Sequence, residues 1–288
     1  MNLRPVAWQM AGMPRLIVSA LLAATFALSP AGYAAAPPPA YGGLPASYSF
    51  ARLARLAGAA PVVIAATIRS ALPLKDVAGL EAGRARFYIE ADVNALIAGN
   101  AALPATITYL VDLAIPPSQG RKRLKGVPVL LLAAPTETPG ALRLIAPDAQ
   151  LPRTPENETR LRTILTASLA RDAPPAIEGI TRAFHVAGSL PGESETQIFL
   201  KTADARPISL TILRRPGEAP RWAVSLTEMV DNSAAPPKPD SLLWYRLACG
   251  LPPSLPDTAL AGLEEDNAAA ARADYGVVLM GLGPCNAN

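Results

Sequence analysis

The sequence predicts an α+β protein built mainly from antiparallel strands. Apolar and polar residues alternate over strand-length runs in the first half, and four short runs of strand type follow at hairpin spacing in the second half. Helical periodicity with a capping residue occurs in only a few segments. We therefore expect the first half to be a small barrel or curled sheet with a packed helix. We expect the second half to be a four-stranded meander closed by C-terminal helices.

The first β-rich domain is predicted over residues 48–172. Ser49 can cap a short helix that Gly58 and Pro61 end. Residues 61–68 form a continuous apolar run, which favours a buried strand, whereas residues 86–93 alternate cleanly between two faces. The remaining predicted strands are residues 106–113, 127–132 and 141–145. Thr154 followed by Pro155 then indicates the start of a second helix.

A second domain is predicted over residues 174–288. Its β part consists of four runs separated by Pro-Gly or Asp-containing turns, at residues 180–186, 196–202, 208–213 and 222–226. Asp240 is expected to cap a helix that carries Trp244, and a last helix is expected over residues 264–280.

The N-terminus has the pattern of a secretory signal peptide over residues 1–34. Arg15 precedes an apolar run, Pro30 follows it, and Gly32 and Ala34 provide a small-residue cleavage site, so cleavage is expected after Ala34. The alternative is a retained membrane anchor, although the run is shorter than a bilayer requires. Residues 35–47 are expected to be a flexible lead-in. The protein is thus predicted to be periplasmic or secreted, with no transmembrane span after signal cleavage.

Cys249 and Cys285 are an even pair in a chain bound for an oxidising compartment, which favours a disulfide bond over two free thiols. The chain contains one histidine, His185. Any hydrolytic mechanism of the Ser-His type must use it, and a hairpin near Pro191 would place it opposite Gln197. Ser194, Glu193 and Glu195 are then the candidate catalytic partners. No nucleophile-elbow motif surrounds Ser194, so the alternative is a strand histidine with no catalytic role.

Other chemistries have little support in the sequence. One histidine and two distant cysteines do not supply the usual metal ligands, so we expect no metal. Glycine-rich nucleotide motifs are absent, and we expect no cofactor. The excess of basic residues is small once Arg4 and Arg15 are removed with the signal segment, so we expect no nucleic-acid partner.

Four cations lie close together between two predicted strands, at Arg121, Lys122, Arg123 and Lys125. Such loops are commonly just solvated. The alternative is contact with an anionic envelope component.

Three stretches, residues 192–200, 221–226 and 242–249, resemble those of exported bacterial proteins of unassigned function. That resemblance implies export and no particular activity. The strand order of the first half is also similar to OB-type barrels such as netrin-like modules. The hypothesis that follows is a non-catalytic binding or structural module of the bacterial cell envelope, whose partner is an anionic component or another envelope protein. A hydrolase using His185 is the alternative.

Overall fold

The computed structural model describes residues 48–75, 77–114, 124–226 and 235–286. The predicted signal peptide, the lead-in and Arg121, Lys122 and Arg123 lie outside these residues. Within them the fold is α+β with mostly antiparallel strands, which confirms the predicted class. The division into two domains near residue 173 stays a prediction.

The strands run in chain order as follows: β1 Val62–Pro73, β2 Arg84–Ala98, β3 Thr106–Ala114, β4 Pro128–Pro135, β5 Ala141–Leu144, β6 Gln150–Pro152, β7 Ile177–Ala187, β8 Ser194–Thr202, β9 Ile208–Arg214 and β10 Arg221–Ser225. The helices are α1 Phe50–Ala59, α2 Pro155–Leu169, α3 Leu242–Gly250 and α4 Glu265–Leu282, with a 3₁₀ turn at Asp257–Leu260.

The first five strands close into a barrel in the order β1-β2-β3-β5-β4, and β4 returns to pair with β1. All of these pairs are antiparallel except β3 with β5, which run parallel. The barrel interior is filled by Ile64, Ile89 and Leu131, which are fully buried. The barrel predicted for the first half is therefore confirmed.

Strand β1 is buried on both faces, which explains its continuous apolar sequence. Ile64 and its even-numbered neighbours point into the barrel, whereas Val63 and Ala65 pack under α1 and α2. Helix α1 begins where Ser49 Oγ accepts the Arg52 N–H at 3.1 Å, and α2 begins where Thr154 Oγ1 accepts the Asn157 N–H at 3.1 Å. Both caps are those that the sequence predicts.

The second sheet is an antiparallel meander in the order β10-β9-β8-β7. Helix α4 packs on its inner face, where Tyr275 and Val278 contact the cluster that contains Ile198 and Leu210. The predicted four-stranded meander with C-terminal helices is confirmed. Among the described residues, no helix is long and apolar enough to cross a membrane.

Cys249 at the end of α3 and Cys285 after α4 have their sulfur atoms 2.06 Å apart, which is disulfide distance. Trp244 in α3 donates its indole N–H to the Leu282 carbonyl at 2.9 Å. It packs against the core of the second sheet and against the cluster that α1 and α2 form on the outer face of the barrel. The segment after α4 thus lies beside α3, where the cysteine pair and this hydrogen bond join them.

Several local expectations were wrong. Ser241, not Asp240, caps α3: its Oγ accepts the Trp244 N–H at 3.2 Å, while Asp240 has a positive φ of 55°. The sequence did not predict the short strand β6 or the 3₁₀ turn. Strand β2 extends well beyond residues 86–93, and register shifts in its pairing with β1 allow the long strand to bend around the barrel.

Candidate functional site

An open groove of about 490 Å³ lies on the barrel between β3 and β5. Its apolar lining includes Leu110, Leu142, Leu144 and Ile145. A concave site of this size with an apolar lining and a few polar groups is typical of ligand sites.

The charged residues that line the groove are two arginines and one aspartate. Arg86 forms a bidentate ion pair with Asp112, with Nε to Oδ1 at 2.7 Å and Nη2 to Oδ2 at 2.8 Å. This hydrogen-bonded pairing lowers the pKa of the Asp112 carboxyl. Arg143 is exposed and forms no ion pair with any residue that the structure describes. The groove therefore offers one uncompensated positive charge.

The groove exists because β3 and β5 diverge. Strand β3 pairs with β2 along its whole length but with β5 only at Thr108 and Tyr109. The Thr108 N–H reaches the Gly140 carbonyl at 2.9 Å, so even-numbered residues of β3 direct their backbone groups toward β5. Beyond Tyr109, this edge of β3 faces the groove and pairs with no strand of the described ranges.

His185 belongs to a second polar cluster, between the meander and α4. Its Nδ1 lies 2.7 Å from Thr196 Oγ1, the residue directly opposite on β8. The predicted partner Gln197 was wrong by one position, and it pairs with Phe184 instead. Thr196 donates its hydroxyl proton to Asp274 Oδ2, and Arg214 Nε donates to Asp274 Oδ1 at 2.6 Å.

The protonation of this cluster follows from its hydrogen bonds. Thr196 has one hydroxyl hydrogen, which it donates in the hydrogen bond to Asp274, so its oxygen accepts a hydrogen bond from His185 Nδ1–H. Neutral His185 is then the Nδ1–H tautomer, with Nε2 as an acceptor. Asp274 is fully buried, and Arg214 compensates its charge. The cluster links three strands of the sheet, β7, β8 and β9, to α4.

The other hydrolytic candidates do not join this cluster. Glu195 accepts a hydrogen bond from Gln197 at 2.7 Å, and both side chains lie on the sheet face opposite Thr196. Glu193 lies in the β7–β8 turn, where its carbonyl accepts the Gly188 N–H at 2.7 Å. Ser194 lies on the same face of the sheet as Thr196. Among the residues that the structure describes, no hydrogen bond joins Ser194 to His185.

Of the four cations predicted to form an anion-binding loop, only Lys125 lies within the described residues. It is exposed in the turn before β4, where Gly126 donates its N–H to the Ile68 carbonyl at 2.7 Å. Groups of three or more potential metal ligands are absent from the part of the chain that the structure describes.

The sequence did not predict the pairing of Asp274 with Arg214 or the position of Arg143 in the groove. One signal was available for Asp274: it falls one helical turn after Ala271 and directly before Tyr275, on the apolar face of the predicted helix. An acid on an apolar face indicates a buried polar contact. No comparable signal marked Arg143, which alternates with apolar residues as any exposed strand residue does.

In comparisons with known proteins, no family model matches this chain and no curated protein matches it significantly.

Proposed function

We propose that this protein is a non-catalytic, exported binding module of the bacterial cell envelope and that the groove between β3 and β5 is its ligand site. The observation that carries the proposal is the combination in one cleft of an apolar lining, an arginine and a strand edge. Among the described residues, Arg143 has no ion-pair partner and this edge of β3 has no strand partner beyond Tyr109. The cysteine pair at disulfide distance and the N-terminal sequence pattern support export.

The barrel supports a binding role on a further ground. Its strand order, with β1 paired to both β2 and β4 and with β3 parallel to β5, supports assignment to the OB-type barrels. Barrels of that type bind oligonucleotides and oligosaccharides on their strands 2 and 3 and on adjoining loops. The cationic residues 121–125 lie between β3 and β4 in sequence, and they are where we expect an anionic envelope component to make contact.

The alternative function is a hydrolase that uses His185, and the Asp274–Thr196–His185 chain of hydrogen bonds is the observation that favours it. A carboxylate normally orients a catalytic histidine through Nδ1 so that Nε2 can activate a nucleophile. Here Thr196 stands between the two groups, and His185 Nε2 has no hydrogen-bond partner among the described residues. The geometry therefore fits a structural cluster better than a catalytic one.

We expect the mature wild-type protein to show no turnover of a panel of nitrophenyl esters and peptides above the uncatalysed rate. His185→Ala should still fold, with a loss of about 1 kcal/mol for one hydrogen bond, because Thr196 keeps its bond to Asp274. Turnover that is abolished by both His185→Ala and Ser194→Ala would establish the hydrolase instead.

Binding through the groove is tested with three probes: phosphatidylglycerol vesicles, an acidic polysaccharide and a displayed library of random octapeptides. We expect at least one probe to bind the oxidised mature protein. We expect Leu110→Ser to weaken that binding, since Leu110 is 47% exposed in the groove and its replacement removes apolar contact without disturbing the core. Arg171→Glu, in the exposed turn after α2, is the matched control.

Two results would contradict the groove assignment. One is the absence of binding by all three probes. The other is binding that Leu110→Ser leaves unchanged. Loss of vesicle or polysaccharide binding in a variant with Arg121, Lys122, Arg123 and Lys125 all replaced by Ser, together with a steep decrease in wild-type binding as salt rises, would place the anionic contact at the loop.

A further inference from the structure

We infer that the ligand of the groove is an extended peptide segment of another protein, which adds to β3 as an extra strand and places an acidic side chain on Arg143. This inference rests on the proposed binding function and specifies the chemistry of the partner. Three features carry it: the free backbone edge of β3, the alternation of groups along that edge, and the charge of the groove.

The β3 edge is best matched by a ligand that has a peptide backbone. Beyond Tyr109, β3 continues to Ala114 while remaining paired with β2 on its other side, so its backbone is held in strand geometry. On the groove side it pairs with no described strand, and Arg84 supplies the one side-chain hydrogen bond seen there among the described residues. Backbone N–H and C=O groups alternate along such an edge, and another strand matches that alternation. A lipid or a polysaccharide has no such repeat. At about 3.4 Å per residue, the edge accommodates about five peptide residues.

The structure already contains one donor at this edge. Arg84 Nη2 donates a hydrogen bond of 2.6 Å to the Asp112 carbonyl, so a side chain occupies a position at which a sheet would place a backbone N–H. A carbonyl oxygen has two lone pairs and can accept a second donor. The Asp112 carbonyl therefore keeps one lone pair that a peptide N–H can bind beside Arg84.

The residues that line the groove predict which side chains the ligand peptide carries. Leu110, Leu142 and Leu144 favour aliphatic residues at positions of the peptide that face the barrel. Asp112 is already paired with Arg86, whereas Arg143 has no carboxylate partner in the described chain. The uncompensated charge favours Asp or Glu in the ligand and disfavours Lys or Arg. The expected ligand therefore alternates aliphatic residues with polar ones that include an acid.

The test begins with selection of octapeptides from the displayed library on the oxidised mature protein. We expect enrichment of alternating aliphatic residues with at least one Asp or Glu. The affinity of a selected peptide, measured by calorimetry, should fall about fivefold or more with Arg143→Glu and remain unchanged with Arg171→Glu. Because both arginines are exposed, neither change should prevent folding.

Strand addition is then separated from side-chain recognition by methylating each backbone nitrogen of the peptide in turn. Only every second N–H of an added strand points toward β3, so methylation should lower affinity about tenfold at alternate positions and little between them. Equal effects at all positions, or none, would overturn strand addition. Selected peptides that bind Arg143→Glu as well as wild type would overturn the assigned charge contact.

The other probes distinguish failure of this inference from failure of the proposed function. If vesicles or polysaccharide bind in a manner sensitive to Leu110→Ser and no peptide does, the groove is a ligand site and the peptide inference is wrong. If no probe binds, both are wrong.

Discussion

Replacing Cys249 and Cys285 together with Ser is expected to lower the free energy of unfolding by about 4 kcal/mol. The expected loss follows from the 36-residue separation of the two cysteines, because a crosslink over such a loop restricts the unfolded chain. In the folded state the link holds the segment after α4 against α3. Urea denaturation of the mature protein and the double variant, each without reductant, measures the difference.

Dithiothreitol supplies the control for this experiment. Reduction should lower the stability of the wild type to that of the double variant and should leave the double variant unchanged. Wild-type protein whose two thiols are alkylated in the native state, or whose denaturation midpoint does not respond to reductant, would contradict the predicted bond.

Asp274→Ala is expected to lower the free energy of unfolding by about 3 kcal/mol. The substitution removes the acceptor of both the Thr196 hydroxyl and Arg214 Nε at a fully buried position. Thr196 is completely buried and is left without that acceptor, and the charge of Arg214 loses its partner. The Arg214 side chain is 36% exposed, so its charge can turn partly toward solvent. The expected loss of stability is therefore at the lower end of the range for breaking a buried ion pair.

Asp257→Asn is the matched control for this variant. Asp257 also pairs with an arginine of α4, Arg272 at 3.0 Å, but its side chain is 90% exposed. A surface pair of this kind contributes up to about 1 kcal/mol. If the two variants lost equal stability in urea denaturation, the cluster around Asp274 would not have the structural role assigned to it.

Features with local causes could be predicted from the sequence. Ser49 and Thr154 are N-caps because their side chains accept a backbone N–H three residues later, which depends on nothing outside the helix. The apolar run in β1 indicated burial on both faces, since no polar residue interrupts it before Thr67. Strand and helix positions in the meander follow from the same local periodicities.

Features that depend on distant residues could not be predicted in this way. The parallel pairing of β3 with β5 places Tyr109 beside Leu142, and no local pattern specifies it. The groove is a consequence of where those two strands diverge. Asp274 is distant from Thr196 in sequence and contacts it because α4 packs on the sheet. No local sequence pattern therefore predicts the cluster around His185.

Ligand binding in the groove can be measured by amide chemical-shift mapping of the ¹⁵N-labelled oxidised mature protein titrated with a selected octapeptide. We expect the largest shifts along β3 from Leu110 to Ala114 and at Leu142, Arg143 and Leu144, and no shifts of the amides around His185 and Thr196. Shifts centred on the His185 cluster, with β3 and β5 unchanged, would contradict binding in the groove.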